Sequence, residues 1–188
     1  MIAKLVKVAT IVIGVAYPVV VYFGLTRWSV RHVAIVLLAM IAASVALRLP
    51  GLDRARLQSV VVPMLPTIVL SAIAGALDRR WALLLVPVIV NLGLLSTFAA
   101  SLRPGKQPMV ERFARLREPD LTPDKVAYCR AVTRVWIVFF AVNAAISAAL
   151  ALWAPLEWWT LWCGALAYAC IGLVFAIEIA VRRRRFGP

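Results

Sequence analysis

The chain has few of the residues on which membrane enzymes usually depend. Its 188 residues include one histidine, three cysteines and eight acidic side chains. Lipid phosphatases of the phosphatidic-acid type need two histidines, whereas this chain has only His32. Transferases that hold Mg²⁺ need paired aspartates, and the aspartates of this chain have no such spacing. No set of zinc ligands, Ser-His-Asp triad or phosphate-binding glycine loop is present either. The sequence therefore predicts no metal, no cofactor and no catalytic residue.

Apolar residues are abundant instead. They make up 64% of the chain against 15% charged residues, and the mean hydropathy is +0.93. An ordinary soluble domain is about 45–50% apolar and about 25% charged, so the expected solvent is lipid. Each apolar run has about the 20 residues that a bilayer-spanning helix needs. We predict an all-α polytopic bundle in one domain, residues 1–188, with spans at about 5–25, 32–49, 57–77, 81–102, 132–153 and 158–181.

The positive charges predict the orientation of these spans. Four of the 21 Lys and Arg residues fall on one face of the predicted bundle, namely Arg27, Arg31, Arg79 and Arg80. The other 17 fall at the two termini, between the second and third spans, and in or next to the loop 103–131. The positive-inside rule therefore places both termini and this loop in the cytoplasm. The net charge of +13 is explained by topology, and no nucleic-acid partner is expected.

The positions of the tryptophans agree with this topology. Six tryptophans fall at span ends on the opposite face, where amphipathic rings prefer the headgroup level: Trp28, Trp81, Trp153, Trp158, Trp159 and Trp162. A cleaved signal peptide at residues 1–25 is the competing interpretation. It is disfavoured because residues 17–23, YPVVVYF, lack a small-residue cleavage pattern.

Polar and small residues inside the spans predict how the helices pack. Asn91 and Asn143 lie near the middle of the fourth and fifth spans. Since an unpaired amide is costly there, both are expected to face the bundle interior and to bond each other, with contact to a substrate as the alternative. Alanines repeat at four-residue spacing in two spans and predict packing faces. These are Ala39, Ala42, Ala43 and Ala46, and Ala141, Ala144, Ala145, Ala148 and Ala149.

The loop 103–131 predicts two helices. Met109, Val110, Phe113 and Leu116 recur at helical spacing, with Glu111, Arg112 and Arg115 on the other face. This short amphipathic helix is expected to lie on the membrane interface or to dock on the bundle. Pro123 suits the first position of a second helix that continues into the fifth span. Arg130 and Arg134 would share one of its faces and bind a phosphate, a carboxylate or anionic lipid headgroups.

The runs SLRPGKQPMVERFARL at 101–116 and AYCRAVTRVWIVFFAVN at 127–143 carry a resemblance. They are similar to an uncharacterised family of small bacterial inner-membrane proteins whose genes accompany those for aryl polyene and xanthomonadin-like pigment lipids. The resemblance implies a location in a bacterial inner membrane, and it assigns no biochemical activity to the chain. The positions that it marks are Arg103, Pro104, Gly105, Glu111, Arg112, Phe113, Tyr128, Thr133, Trp136 and Asn143.

Charge and resemblance together favour an accessory role. The loop and the start of the fifth span hold eight basic residues against four acidic ones, and acyl carrier proteins are strongly acidic. The chain is expected to dock carrier-bound acyl or polyene intermediates, or partner enzymes, at the cytoplasmic face. The residues expected to bind such a partner or anionic lipid are Arg103, Lys106, Arg112, Phe113, Arg115, Arg130 and Arg134.

Two alternatives stay open. Prolines at Pro18, Pro63, Pro66 and Pro87 interrupt three spans, so a small transporter or lipid-handling protein is the second hypothesis. An enzyme that uses Glu111 or Tyr128 for acid–base chemistry is less favoured, because a surface salt bridge to Arg115 explains Glu111 more simply. The oligomeric state is not predicted.

Overall fold

The structure, a computed structural model, describes residues 17–46 and 54–187, and over these ranges the fold is all-α. The predictions for residues 5–16, for Lys4 and Lys7, and for 47–53 with Arg48 fall outside the described residues. Residues 17–27 form α1. The next helices are α2 (Val30–Ala46), α3 (Arg54–Leu77), α4 (Arg80–Leu84) and α5 (Val86–Ser101). Then follow α6 (Met109–Arg115), α7 (Pro123–Trp153), α8 (Leu156–Leu161), a π-helical turn (Trp162–Leu166) and α9 (Ala167–Phe186).

Three stretches of the described chain are long and apolar enough to cross a bilayer. They are Arg80–Ser101, with 22 residues, and Pro123–Trp153 and Leu156–Phe186, with 31 residues each. Two shorter apolar helices, Val30–Ala43 and Met64–Leu77, accompany them. These helices indicate a multi-pass membrane protein.

Helix α7 begins where the sequence predicts and continues without a break into the fifth apolar run. Pro123 is its first residue, a position where the missing backbone N–H removes no helical hydrogen bond. The Val126 amide donates to the Thr122 carbonyl oxygen at 3.0 Å and closes the first turn. One helix therefore carries residues of the predicted loop and residues of the predicted span on a single axis.

The chain packs as two compact units. The first takes in the described residues up to Val86 together with Ser147–Tyr168. Its core is formed by Trp159 and Leu83 with Val21, Val33 and Leu37 around them. A Cβ added to Gly24 would lie 2.7 Å from a methyl carbon of Val33, so this glycine permits the close approach of α1 and α2.

The expected interruption at Pro63 and Pro66 is wrong as to a break, because α3 continues through both residues. The first unit does contain a break between α4 and α5, at Leu85. Pro87 cannot donate a backbone hydrogen bond, so carbonyl groups in the preceding turn need other partners. The Tyr17 hydroxyl donates to the Leu83 oxygen at 2.7 Å, and Trp159 Nε1 donates to the Leu84 oxygen at 3.1 Å. Two aromatic side chains from other helices thus satisfy the carbonyls at the break.

Trp159 is the fully buried residue among the tryptophans at the predicted span ends. Its exposed fraction is 0%, and its indole donates a hydrogen bond at the α4 break. Its neighbour Trp158 is 60% exposed, and Trp28, Trp81 and Trp153 are exposed as well. Position at a span end does not distinguish an interfacial tryptophan from one that caps a buried carbonyl, because both have a polar atom to satisfy.

The alanine pattern was also only partly correct. Ala39, Ala42, Ala43 and Ala46 lie on the exposed side of α2, which packs through Val33, Ala34 and Leu37 instead. On α7, Ala144 is buried whereas Ala141 and Ala145 are exposed. Lipid tails accept an apolar face without penalty, so alanine spacing alone does not identify which face contacts protein.

The second unit takes in Pro87–Ile146 and the described residues from Ala169 onward. Its core is a stripe along one face of α7, where Tyr128, Val132, Trp136 and Phe140 recur every four residues. The Phe98 ring of α5 meets Phe140 edge-on with 5.1 Å between centroids. Partly buried residues of α6 and α9 complete this core, among them Val110, Ile171, Val174 and Phe186.

Candidate functional site

Within the second unit, the chain from Ser101 to Thr122 is folded onto α5 and α7. Ser101, the last residue of α5, accepts a hydrogen bond from the Met109 amide at its Oγ at 2.9 Å. Thr133 of α7 accepts from the Val110 amide at its Oγ1 at 3.3 Å. These two hydroxyls satisfy the first two backbone donors of α6, which no residue inside the helix can do. The start of α6 is thereby fixed to α5 and α7.

Thr133 was marked by the resemblance, whereas sequence reasoning overlooked Ser101. Each hydroxyl also donates within its own helix, Ser101 to the Phe98 oxygen at 2.6 Å and Thr133 to the Cys129 oxygen at 2.8 Å. Both are buried. A serine at the end of an apolar run gives no sequence signal for such a contact, because its partner lies eight residues away across a turn.

Glu111 and Arg115 form the ion pair that the sequence predicts, but not on the surface. Arg115 Nε donates to Glu111 Oε1 at 2.8 Å. The Glu111 side chain is 5% exposed and the Arg115 side chain 33% exposed. Arg115 Nη1 also donates to the Pro119 oxygen at 2.6 Å. The expectation of a surface salt bridge is therefore wrong for Glu111, which is buried, whereas Arg115 is partly exposed and joins α6 to the chain that follows it.

A tight turn between α5 and α6 brings two positive residues together. The Lys106 amide donates to the Arg103 oxygen at 3.1 Å, with Pro104 and Gly105 between them. Gly105 has φ +75°, the left-handed conformation that the third residue of a type II turn requires, and proline suits the second position. The ends of such a turn lie within about 7 Å of each other. Arg103 and Lys106 are both exposed, so the turn carries one cation at each of its two ends.

The other arginines expected to bind a partner differ in their surroundings. Arg130 Nη1 donates to the Leu102 oxygen at 3.3 Å, so this guanidinium caps the C-terminal end of α5. Arg134, one turn further along α7, is exposed. Arg112 is exposed, and its Nε donates to the Gln107 oxygen at 3.2 Å. The predicted pair of Arg130 and Arg134 thus consists of one engaged and one exposed side chain.

Helix α6 presents a mixed face to its surroundings. Phe113 is 60% exposed and Leu116 is 81% exposed, whereas Val110 packs into the core of the second unit. The apolar residues that the sequence groups on one face are therefore divided between the protein interior and the surface. Burial of Glu111 with its arginine turns α6 so that Phe113 faces outward.

Tyr128 and Trp136, which the resemblance also marks, belong to the packing of α7 against α9. The Tyr128 hydroxyl donates to the backbone carbonyl oxygen of Glu178 at 3.1 Å. The Tyr128 ring meets the Phe186 ring edge-on, with 5.5 Å between centroids. Trp136 packs on Phe175 at 4.8 Å between centroids. The Glu178 carboxylate also forms an i,i+4 ion pair with Arg182, with 3.7 Å between Oε1 and Nε. All ten positions marked by the resemblance belong to the second unit.

Asn91 and Asn143 are both buried, and the structure brings them together. Asn143 Nδ2 donates to Asn91 Oδ1 at 3.0 Å. Asn91 Nδ2 donates to the Pro87 oxygen at 2.8 Å, one turn earlier on α5. The amides thus connect α5 to α7 and satisfy a carbonyl near the start of α5.

Asn143→Leu is expected to destabilise the protein by about 0.6–2 kcal/mol, because it removes the hydrogen bond between α5 and α7. Thermal unfolding of the detergent-purified protein, followed by circular dichroism, measures the change. Val142→Leu, at an exposed neighbouring position, is the control and should leave the midpoint unchanged. Equal midpoints for all three proteins would contradict a structural role for the asparagine pair.

Among the described residues, no three His, Cys, Asp or Glu side chains are grouped as ligands for a metal ion. The candidate site combines exposed positive side chains with the exposed Phe113 and Leu116. Comparisons of the chain with protein-family models, with curated proteins and with solved structures find no match.

Proposed function

We propose that the chain is a six-span protein of the bacterial inner membrane, with both termini and the loop 103–131 in the cytoplasm. Three long apolar helices and two shorter ones support the second to sixth spans, and the first span begins outside the described residues. The arginines that follow the apolar part of α9, Arg182 to Arg185, and those around α6 lie on the side that the positive-inside rule assigns to the cytoplasm.

The proposed function is that of an accessory protein that docks acidic acyl carriers at this face. The turn that pairs Arg103 with Lys106 carries the proposal, because both side chains are exposed and neither has an acidic neighbour in the turn. Charges arranged in this way steer an oppositely charged partner and fix its orientation. The folded chain from Ser101 to Thr122 holds the turn in place, so little ordering is needed when the partner binds.

The resemblance supports the same proposal from another direction. Pigment lipids of the aryl polyene type are built by fatty-acid-like assembly on acidic carrier proteins in the cytoplasm. A membrane protein with a preformed basic turn would bring a carrier and its acyl chain to the bilayer, where a lipid product has to be delivered. Partner enzymes of the same assembly with acidic surfaces are the other candidates for this turn.

Arg103→Glu/Lys106→Glu is expected to abolish capture of purified acyl carrier protein by the detergent-solubilised chain. Surface plasmon resonance at low and high salt measures it, and capture by the wild type should weaken as salt screens the charges. Arg183→Glu/Arg184→Glu, which changes the charge equally on exposed residues of α9, is the matched control and should retain binding. Arg115 is left intact, because its reversal would disturb Glu111. Failure of the wild type to bind at low salt would contradict the proposal.

The break between α4 and α5 favours a second candidate, a small transporter or lipid-handling protein. Interrupted membrane helices form the substrate sites of many transporters. Here Tyr17 and Trp159 already use the Leu83 and Leu84 carbonyls, which places this candidate second. It predicts that Asn143→Leu abolishes transport of a lipid-linked product into vesicles while carrier capture is unaffected.

A further inference from the structure

The surface formed by α6 and the two residues after it, which we call the α6 face, combines two apolar and two positive exposed side chains. Arg112 and Phe113 belong to α6, Leu116 is the residue at which the helix ends, and Arg117 lies in the turn that follows. Phe113 and Leu116 are the apolar centre, and the arginines flank them. Val110 and Glu111, near the start of the helix, pack into the second unit instead.

Hydrogen bonds fix this face at a defined level relative to the membrane. The first amide of α6 is bonded to Ser101, the residue at which the apolar stretch Arg80–Ser101 ends. Helix α6 has seven residues, so its far end lies no more than about 10 Å from that level at 1.5 Å per residue. The headgroup region on each side of a bilayer is about 5–7 Å thick. Phe113, the fifth residue of the helix, lies within about 6 Å of the first, a distance similar to that thickness.

We infer that this face of α6 lies in the anionic surface of the cytoplasmic leaflet. Phe113 and Leu116 would enter the boundary between headgroups and acyl chains, and Arg112 and Arg117 would pair with lipid phosphates, the arrangement of interfacial amphipathic helices. A helix this short does not persist alone in water. Ser101, Thr133 and the buried Glu111–Arg115 pair supply the missing stability, so the membrane-binding surface is preformed.

The charge and apolar content of the face distinguish it from the turn at Arg103 and Lys106. The turn offers cations without a large apolar neighbour between them, which suits an acidic protein surface. The α6 face offers apolar side chains that a protein partner would have to cover and that a bilayer covers at no further cost. The inference goes beyond carrier docking and does not depend on it.

Hydrogen exchange of the whole chain in lipid nanodiscs tests the inference. The amides of residues 112–118 should exchange more slowly in discs that contain phosphatidylglycerol than in discs of phosphatidylcholine alone. Arg117→Gln should reduce this protection about fivefold, since one cation near an anionic surface is lost. Leu116→Ser should reduce it as well. Arg183→Gln removes the same charge at an exposed position of α9 and should leave the protection unchanged. Equal exchange in the two kinds of disc would overturn the inference.

A measurement of depth gives a second, independent test. A fluorescent label at Leu116→Cys, in a chain whose three native cysteines are replaced by alanine, should be quenched by nitroxides on the lipid chains and shielded from aqueous iodide. The same label at Asp120→Cys, exposed in the following segment, should respond in the opposite way. Iodide quenching of equal strength at the two positions would overturn the inference and leave the α6 face to a protein partner. Carrier capture is measured in detergent, so its outcome is separate.

Discussion

Trp159→Ala is expected to destabilise the protein by about 3–5 kcal/mol, the range for removal of a large buried aromatic side chain. The Trp159 side chain is 0% exposed and lies in the centre of the first unit, beside Leu83 and Cys163. Its loss leaves a cavity and also leaves the Leu84 carbonyl without the indole donor at the helix break. The midpoint of thermal unfolding in detergent should fall accordingly.

Two variants separate the contributions of packing and hydrogen bonding. Trp159→Phe keeps most of the ring but loses the donor, and should cost about 1–3 kcal/mol because a buried carbonyl is left unsatisfied. Trp158→Ala removes an equally large ring that is 60% exposed, and should change stability by no more than about 0.5 kcal/mol. If Trp158→Ala and Trp159→Ala lowered the midpoint equally, the assignment of Trp159 to the core would be wrong.

Arg115→Gln is expected to lower the free energy of local unfolding of α6 by about 3 kcal/mol. Removing one member of a buried ion pair leaves the other charge uncompensated, and the lower end of the usual range applies because Arg115 is one-third exposed. The variant also loses the bond to the Pro119 oxygen, which holds the chain after α6. Faster hydrogen exchange over residues 109–118, with the rest of the second unit unchanged, is the expected observation.

The double variant Glu111→Gln/Arg115→Gln tests the cause of this effect. With both charges removed, no uncompensated charge is buried, and the exchange rates should return part of the way to those of the wild type. Lys125→Gln is the control, because its partner Glu118 is 48% exposed and a pair of that kind contributes no more than about 1 kcal/mol. A double variant that exchanged faster than Arg115→Gln would show that burial of charge is not the reason.

Features that depend on neighbours along the chain were predictable. The position of Pro123 at the start of α7 follows from the missing proline donor. The turn at Arg103 to Lys106 follows from Pro-Gly, and the Glu178–Arg182 pair follows from helical spacing. The pairing of Asn91 with Asn143 was expected because few polar groups are available at that depth. In each case a residue nearby in the chain, or the small number of other polar groups, allows only one local arrangement.

Features that depend on which helix faces which were not predictable. Alanine spacing indicated a packing face on α2 that the structure leaves exposed, because lipid and protein accept the same apolar side chains. The rotation of α6, which buries Glu111 and exposes Phe113, depends on Ser101 and Thr133 at the ends of two other helices.

The amino-acid sequence by itself determined that this is an all-α protein for a lipid environment, which of its segments are helical and where its positive charge is concentrated, because hydropathy, proline and charge act locally. Tertiary structure alone decided that Trp159 caps a broken helix, that Glu111 is buried and that Phe113 and Leu116 are exposed. Those outcomes require donors and acceptors from distant segments to meet, and the hydropathy of a segment carries no information about the segment that it will contact.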